Sequence, residues 1–387
     1  MINIFILKNF NNENIKLMTD NQPEITIVGG GVVGLSIALG LLQSGHKVIV
    51  LDGKDNDARA SFGNFGLVWG QGKGWDFAPY AKLTADAIDA WQNFSDNLNE
   101  LSGLDVSLDQ KGGFEFFTDP EEFKSFIGML EIQKGHSGNR FSYETLSGDE
   151  LRKQIPGIGS KVVGATFSQL DGHVNPLRFL RALQRSVQAL GGKIRSNTIV
   201  KKTESNKNGG FSLTLANGTL ISTEKVILCA GLGSMQLANQ LAFKTNIRPE
   251  KGELLITEKL GSELPFLSST IRQVDEGGVQ IGGTNADVGM NDSETLSDMV
   301  DLARHAVDVY PALSNVRVLR AWGALRVMTP DGYPVYAQSE ECPGAYLITC
   351  HSGVTLASLH ASILSDWIDD NIKTPNLEAF DEARFKI

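Results

Sequence analysis

The 387-residue sequence predicts an α/β fold in which one domain carries a parallel sheet and a second domain is of α+β type. The first observation is the order strand, glycine turn, helix, strand over 25–52. The second is a change of pattern after residue 80, where apolar residues recur at helical spacing and 112–118 then alternates like a strand. The third is a return to buried-strand patterns near 226 and 345. Because successive parallel strands need a crossover helix, the first unit indicates the parallel sheet.

Composition narrows the class of protein. Hydrophobic residues make up 41% and charged residues 21% of the sequence, as in globular folds. The formal net charge of −10 would repel a phosphate backbone, and no basic stripe offsets it, so nucleic acid is excluded as a partner. The apolar runs are too short to cross a bilayer, which leaves only peripheral membrane association open. The three cysteines have no CxxC spacing, so we predict reduced thiols and no metal site: Cys229, Cys342 and Cys350.

The N-terminal segment bears on location. Residues 1–23 lack a basic start and a small-residue cleavage site, so we expect no secretory signal and a cytoplasmic protein. This Asn-rich segment is predicted to be a flexible tail, with Met18 as an alternative start to Met1.

Capping residues mark several helix starts. Asp119-Pro120 and Asn175-Pro176 each combine an N-cap side chain with proline in the first turn, and 147–150 has the capping-box spacing of serine and glutamate. A further helix is predicted over 293–310 and another over 354–369. The last helix follows a strand that resembles the core strands of the first unit, so the two termini are predicted to share a domain.

Three alternating runs predict an antiparallel meander. They cover 193–205, 211–216 and 219–231, and Asn-Gly turns at 208–209 and 217–218 join them. Asn-Gly is the strongest short signal for a tight hairpin because both residues tolerate positive φ. A second hairpin is predicted from the glycines that follow residue 275.

The glycine turn after the first strand has the spacing GxGxxG. Gly29 permits the tight turn, Gly31 lets a diphosphate approach the backbone, and Gly34 lets the helix pack closely on the strand. Asp52 ends the second strand, where it can accept hydrogen bonds from ribose hydroxyls. We therefore predict a Rossmann-type dinucleotide site whose residues are Gly29, Gly31, Val32, Val33, Gly34 and Asp52. These residues leave FAD and NAD open as the ligand, because both share the adenosine half.

Three further stretches resemble the FAD-dependent D-amino-acid oxidase-like superfamily, and chiefly its subgroup of opine oxidase subunits, D-hydroxyproline dehydrogenases and the hydrogen cyanide synthase flavin subunit. They are ARASFGNFG (58–66), VILCAGLGS (226–234) and WGALRVMTPDGYPVY (322–336) followed by GAYLITCHSGVTLA (344–357). The resemblance covers about residues 24–370 and implies FAD as the cofactor. It also implies a split arrangement, with a flavin domain of 24–80, 150–235 and 320–387 and a substrate domain of 81–149 and 236–319.

The resemblance implies flavin contacts from Ser61, Asn64 and Gly66, and contact between the adenine and the backbone near Val200. Ser61 and Asn64 could alternatively stabilise a polar loop. The strand that ends at Ala230 and Gly231 is predicted to lead into a turn close to the cofactor, or else to be a plain core strand.

A helix entered through HSGVTLA is predicted to stabilise the negative charge of reduced flavin with its free N–H groups. The residues that would do so are Gly353, Val354 and Thr355. Members with covalent flavin use a cysteine near the arginine motif, where this chain has Val327 and Met328, so noncovalent FAD is expected.

The superfamily anchors the substrate carboxylate through an arginine aligned with Arg326, whose planar fork meets both oxygens; the alternative is a structural ion pair. His351 could donate a proton nearby, Trp322 and Tyr336 could wall the cavity, and His173 could face it. For each of these four residues a purely structural role is the alternative.

The predicted activity is FAD-dependent oxidation of a small amino acid or secondary amine, by hydride transfer to flavin N5, to an imine that hydrolyses. D-Amino acids, glycine, sarcosine, hydroxyproline and opines are the substrates that the resemblance implies. Three alternatives remain. Two of them keep the flavin: a flavin subunit of a hetero-oligomeric dehydrogenase, with an electron-accepting partner and little activity alone, and an FAD-dependent 2-hydroxy acid dehydrogenase. An NAD-linked dehydrogenase is a third.

Overall fold

The computed structural model describes residues 23–53, 60–369 and 377–385. The predicted tail, with both candidate start methionines, lies outside the described residues apart from Pro23.

The strands, in chain order, are β1 (Ile25–Val28), β2 (Val48–Asp52), β3 (Leu67–Val68), β4 (Gly113–Phe117), β5 (Glu144–Ser147), β6 (Gly164–Ser168), β7 (Gly172–His173), β8 (Lys193–Ser196), β9 (Val200–Ser205), β10 (Phe211–Leu215), β11 (Leu220–Thr223), β12 (Lys225–Leu228), β13 (Arg248–Lys259), β14 (Ile271–Gln273), β15 (Gly278–Gly282), β16 (Val318–Met328), β17 (Val335–Gln338) and β18 (Ala345–Thr349).

The α-helices are α1 (Val32–Gln43), α2 (Ala60–Gly63), α3 (Ala78–Ser102), α4 (Pro120–His136), α5 (Gly148–Gln154), α6 (Pro176–Ala189), α7 (Met235–Ala238), α8 (Leu296–Val309), α9 (Ala357–His360) and α10 (Ile363–Ile368). Short 3-10 helices cover Gly231–Ser234, Asn239–Leu241, Pro311–Asn315, Leu377–Phe380 and Glu382–Phe385. Within the described ranges, no helix combines the length and the apolar character needed to span a bilayer.

A six-stranded sheet in the order β17-β18-β12-β1-β2-β8 forms the base of the first cavity described below. Its pairs are parallel except β17 with β18. Every residue of β1 is buried, because α1 and α6 cover one face and the meander strands cover the other. The predicted α/β fold with a parallel sheet is confirmed.

The meander consists of β9, β10 and β11, all antiparallel, as predicted. The two outer runs of the prediction are each divided. In the first run, Lys193–Ser196 joins the parallel sheet before the meander begins at Val200, and in the third, Lys225–Leu228 returns to that sheet after β11. Alternation indicates a strand but does not indicate which sheet the strand joins.

The other sheets are antiparallel, which confirms the predicted α+β part. They have the orders β14-β15-β13-β16 and β4-β6-β5, with a small pair β3-β7. Strand pairing departs from the predicted domain boundaries at two places. Gly164–Ser168 pairs with strands before residue 150, and Val318–Met328 pairs with Arg248–Lys259. The division into two domains otherwise stays a prediction.

The predicted caps form as expected. The Asp119 side chain accepts hydrogen bonds from two backbone N–H groups of the first turn, Asn175 does the same, and Ser147 with Glu150 makes both bonds of a capping box. The helix predicted over 354–369 is instead broken into α9 and α10. Ser362, between them, has φ −120° and ψ −87°, and the Ser365 hydroxyl donates to the carbonyl of Ser362 at 2.7 Å. Such local bonds compete with a continuous helix.

Candidate functional site

Two adjoining cavities lie where the parallel sheet meets the four-stranded antiparallel sheet. The first, of about 480 Å³, lies at the carboxyl ends of β1, β2, β12 and β18. Ligands bind at this edge in open α/β sheets. The second, of about 250 Å³, is walled by β13 and β16. Five residues line both cavities: Ala60, Asn64, Leu325, His351 and Val354.

The glycine turn forms the floor of the first cavity. Gly29 has φ +115°, and a Cβ there would lie 2.3 Å from the carbonyl oxygen of Cys229. A Cβ on Gly34 would lie 2.1 Å from the carbonyl oxygen of Gly29. Gly34 lines neither cavity, and it allows α1 to pack on the turn, which is the role that the motif gives to its third glycine.

The N-terminus of α1 faces the first cavity. Its N-cap is Gly31, which offers no side chain, and both Val32 and Val33 line the cavity. The Val32 N–H donates to the Ser61 hydroxyl at 3.0 Å. Unpaired N–H groups and the helix dipole make such an end suited to an anion. Asp52 lines the cavity at the end of β2 and accepts a 3.4 Å hydrogen bond from the Gly30 N–H.

The loop after α2 fits both alternatives proposed for it. Ser61 and Asn64 line the first cavity. Asn64 also stabilises the loop, because its amide donates to the Ser61 carbonyl at 2.9 Å and accepts from the Gly66 N–H at 2.8 Å. Gly66 lines the second cavity and not the first.

The far wall of the first cavity includes Val200, Ala230, Gly231, Gly353 and Val354. A residue that the sequence analysis missed also lies here. Thr349 lines the cavity, and its hydroxyl is buried without a hydrogen-bond partner among the described residues. A buried polar atom of this kind indicates a ligand or water partner.

The helix expected to begin within HSGVTLA is absent at that point. Helix α9 begins at Ala357 and has only four residues, and in the turn before it the Leu356 N–H donates to the Ser352 carbonyl at 3.1 Å. Stabilisation of reduced flavin by the N–H groups of this segment therefore stays a prediction. The Thr355 hydroxyl is used within the protein: it donates to the Leu67 carbonyl at 3.2 Å and accepts from the Trp69 N–H at 3.2 Å. Thr355 lines the second cavity.

Arg326 lines the second cavity from β16. Its Nη1 donates to the Lys251 carbonyl at 3.2 Å and lies 3.6 Å from Glu250 Oε1. Burial lowers the pKa of the guanidinium from its ordinary value, and Glu250 opposes that shift. A group with so high an ordinary pKa still keeps its charge, so Arg326 presents a cation to the cavity.

His351 lines both cavities. Desolvation lowers its pKa to about 3, and the charges of Lys73 and Arg326 lower it further. The imidazole is therefore neutral at pH 7, so it can donate one hydrogen bond but does not act as a charged acid.

Three predicted substrate residues line neither cavity. Trp322 donates from Nε1 to the Gly63 carbonyl at 3.2 Å. Tyr336 is 2% exposed in β17, and its hydroxyl lies 3.0 Å from His360 Nε2. The Nδ1 atom of His173 accepts a 2.7 Å bond from Arg272, and burial lowers its pKa to about 3. The placement of these residues corrects the expectation, because an aromatic or histidine pattern indicates burial but not the face that is buried.

Two charged residues of the second cavity have no counterpart in the sequence analysis. Lys73 lines the cavity and donates to the Ser352 hydroxyl at 2.9 Å. Glu253 also lines it, on the same face of β13 as Lys251. Glycines flank Lys73 in the sequence and are compatible with a tight turn, but no local pattern indicates that the turn faces a cavity.

Three comparisons with known proteins agree with this geometry. Residues 24–367 match the family described as DAO, FAD dependent oxidoreductase. An opine oxidase subunit of Rhizobium meliloti is 39% identical over 365 residues, which cover 94% of this chain and 98% of the relative. Glycine oxidase of Bacillus licheniformis is 26% identical over 367 residues, which cover 92% of this chain and 96% of the relative.

Solved structures share the fold. The crystal structure of glycine oxidase from Bacillus cereus has a TM-score of 0.83 at 22% identity and covers 92% of this chain and 98% of that one. Iminodiacetate oxidase from Chelativorans has a TM-score of 0.81 at 16% identity, with the same coverage. The match to the family over most of the chain confirms the resemblance noted in the sequence. The chain belongs to the DAO family of FAD-dependent oxidoreductases.

Proposed function

We propose that the protein oxidises a carboxylated amine of the amino-acid or opine type, with FAD in the first cavity and the substrate in the second. The observation that carries this proposal is the position of Arg326. Its cation lines a cavity that adjoins the one bounded by the dinucleotide turn. A carboxylate bound by Arg326 would lie in the second cavity, next to the residues that both cavities share.

The residues of the first cavity fit a noncovalent FAD. The backbone of Gly29–Val33 would hold the diphosphate, Asp52 the ribose, and the backbone near Val200 the adenine. Gly231 and Val354 would lie against the flavin ring. Bound FAD supplies the hydride acceptor for the reaction.

The thiols of the first cavity support noncovalent binding. Burial raises the pKa of Cys350 to about 12 and that of Cys229 well above its ordinary value. Both therefore remain protonated thiols at neutral pH and are poor nucleophiles. The residues at the position of the covalent-flavin cysteine are Val327 and Met328.

The protein's own residues would mainly position the substrate. Arg326 would hold the carboxylate so that the carbon bearing nitrogen points toward the first cavity. That carbon loses its hydrogen with the bonding electrons, the nitrogen lone pair forms the C=N bond, and water later hydrolyses the imine. The substrate nitrogen must be unprotonated for this step. The neutral His351, which lines both cavities, would accept or donate a single hydrogen bond without adding a positive charge beside the amine.

We also propose that the chain works as one subunit of a hetero-oligomer. The opine oxidase relative from Rhizobium meliloti is, as its name states, one subunit of an enzyme. The match between the two covers 94% of this chain. If the partner accepts the electrons, the isolated chain should be reduced by substrate and reoxidised slowly by oxygen. Affinity purification from the native host, followed by mass spectrometry, checks for the partner; rapid peroxide production by a lone chain would contradict this part of the proposal.

The first experiment is anaerobic. The purified holoprotein is mixed with glycine, sarcosine, D-amino acids, hydroxyproline, an opine and 2-hydroxy acids, and bleaching of the flavin band is followed. We expect amines with a carboxylate to reduce the flavin. Bleaching by 2-hydroxy acids alone would contradict the proposal, and a protein that stays colourless when FAD is supplied would contradict the cofactor site.

Replacement of Arg326 tests the anchor. We expect Arg326→Met to lower kcat/KM for carboxylated amines by about 100-fold or more, because a bidentate charged contact is lost. Arg304→Met is the matched control, since Arg304 is exposed and pairs only with Asp301 in the described part of the chain. An equal loss for decarboxylated amines would refute the anchoring role.

A further inference from the structure

A second cation, Lys73, lies in the second cavity. Lys73 belongs to the turn 70–74, in which its N–H donates to the Gly70 carbonyl at 3.0 Å. The turn is fixed from both sides, because the Gly70 N–H donates to Asp171 and the Gly70 carbonyl accepts from Gln133 at 2.7 Å. The backbone therefore holds Lys73 in a defined position at the cavity wall.

The Lys73 ammonium has donor capacity to spare. Among the described residues, its recorded hydrogen bond goes to the Ser352 hydroxyl at 2.9 Å. That hydroxyl also accepts from the Tyr80 hydroxyl at 2.9 Å, so it is shared. An ammonium carries three donors, and the cavity is the open side. Two of the donors are available to a ligand.

The charges around Lys73 are incompletely balanced. Glu253 is engaged with Lys251 at 2.6 Å, and Glu250 lies near Arg326 instead. Two further carboxyl groups, Glu115 and Asp171, interact electrostatically with Lys73, but burial raises the pKa of Glu115 to about 7 and that of Asp171 to about 8. At neutral pH these two groups carry less than full negative charge.

The surroundings of Lys73 destabilise its protonated form. Burial and the charge of Arg326 both lower its pKa. Two cations beside one small cavity repel each other and cost free energy unless anions compensate them. A single substrate carboxylate would satisfy Arg326 and leave the Lys73 donors without an acceptor.

We propose that Lys73 binds a second carboxylate of the substrate, so that the site selects amines flanked by two carboxylates. This inference rests on the proposed function, in which Arg326 binds the first carboxylate. Either a secondary amine between two carboxymethyl groups or an acidic amino acid has this chemistry. The position of Lys73 makes it a specificity-determining residue and leaves the oxidation step itself unchanged.

Binding of unreactive analogues to the holoprotein tests the proposal without turnover. Thiodiglycolate has two carboxylates and methylthioacetate has one, and neither has an amine. We expect the wild-type holoprotein to bind thiodiglycolate about 10-fold to 100-fold more tightly, as a charged hydrogen bond implies, measured from the perturbation of the flavin spectrum and by calorimetry. Equal affinities would overturn the proposal with no variant needed.

Variants assign the effect to Lys73. Lys73→Met should reduce the affinity ratio of the two analogues to near one, and Lys73→Arg should restore most of it. Lys82→Met is the matched control, because Lys82 is exposed and lines neither cavity. If Lys73→Met weakens both analogues equally, Lys73 has a structural role and the proposal fails.

Arg326→Met separates this inference from the proposed function. It should weaken both analogues, and failure to do so would refute the Arg326 anchor while leaving the Lys73 ratio test intact. Anaerobic flavin reduction then distinguishes the two substrate types. Faster reduction by iminodiacetate than by sarcosine supports a secondary amine, and faster reduction by aspartate than by alanine supports an acidic amino acid. No advantage for either dicarboxylate overturns the proposal.

Discussion

The two cavities differ in how they are built. The floor of the first is a glycine turn and a strand end that follow each other over 28–53, and its other walls come from later segments of the chain. The second is formed by side chains from separate elements, such as Lys73, Arg326 and His351. A backbone site depends on local conformation, which a motif encodes. A side-chain site depends on which elements meet, and it can change its specificity by single substitutions.

The largest expected effect tests the backbone site. Gly34→Ala places a Cβ 2.1 Å from the Gly29 carbonyl oxygen, so the helix or the turn must move. We expect the free energy of unfolding to fall by about 3 kcal/mol or more and FAD to be lost. Chemical denaturation and the flavin absorbance of the purified protein measure this. Gly128→Ala is the matched control, because a Cβ there meets nothing within 4 Å in a helix, and it should be neutral or slightly stabilising. Normal FAD content in Gly34→Ala would mean that the close approach is not required.

The next effect concerns the side-chain site. Lys251 and Glu253 are each 1% exposed and form an ion pair at 2.6 Å, and Glu253 also accepts from the N–H and hydroxyl of Thr295 at the start of α8. Glu253→Gln leaves the Lys251 cation buried without its counter-ion. We expect a loss of about 3 kcal/mol in the free energy of unfolding.

The double variant Lys251→Met, Glu253→Leu checks that explanation. Replacing both partners with apolar residues should recover much of the loss, because no buried charge is then uncompensated. Urea denaturation of Lys251→Met, Glu253→Leu and the double variant gives the coupling free energy. A double variant as unstable as Glu253→Gln would show that packing, and not charge, explains the loss.

The smallest effect is a pH dependence. Burial raises the pKa of Glu115 from 4.5 to about 7, while hydrogen bonds from Trp69 and Ser269 oppose the shift. The folded protein therefore holds a proton that the unfolded chain releases between these values. Stability contributed by this group is present below pH 4.5 and is lost as the pH rises through about 7.

Glu115→Gln should remove this contribution to the pH dependence of the free energy of unfolding, because the amide stays neutral at every pH. We expect the melting temperature of the variant to change less than that of the wild type from pH 5 to 8, so that the two profiles separate as the pH rises. Parallel profiles would mean that Glu115 titrates normally. The pKa of Asp171 shifts in the same direction, partly because of the charge of Glu115, so Asp171→Asn tests the same pH dependence at a neighbouring carboxyl group.

The sequence by itself determined the parts that depend on neighbouring residues. The turn at Gly29–Gly34, the caps at Asp119 and Ser147, and the meander were all predictable, because φ angles and N–H groups of adjacent residues impose them. The family resemblance, and with it FAD, also came from short contiguous motifs.

Only the tertiary structure decided which side chains share a cavity. Lys73 and Arg326 are far apart in the chain, and no local pattern links them. The same reason explains why Tyr336 and His173 pack away from the cavities, and why the segment that follows His351 does not continue as one helix. Burial and pairing across sheets are set by all the contacts of the folded chain, whereas a sequence pattern reports the conformation of its own segment.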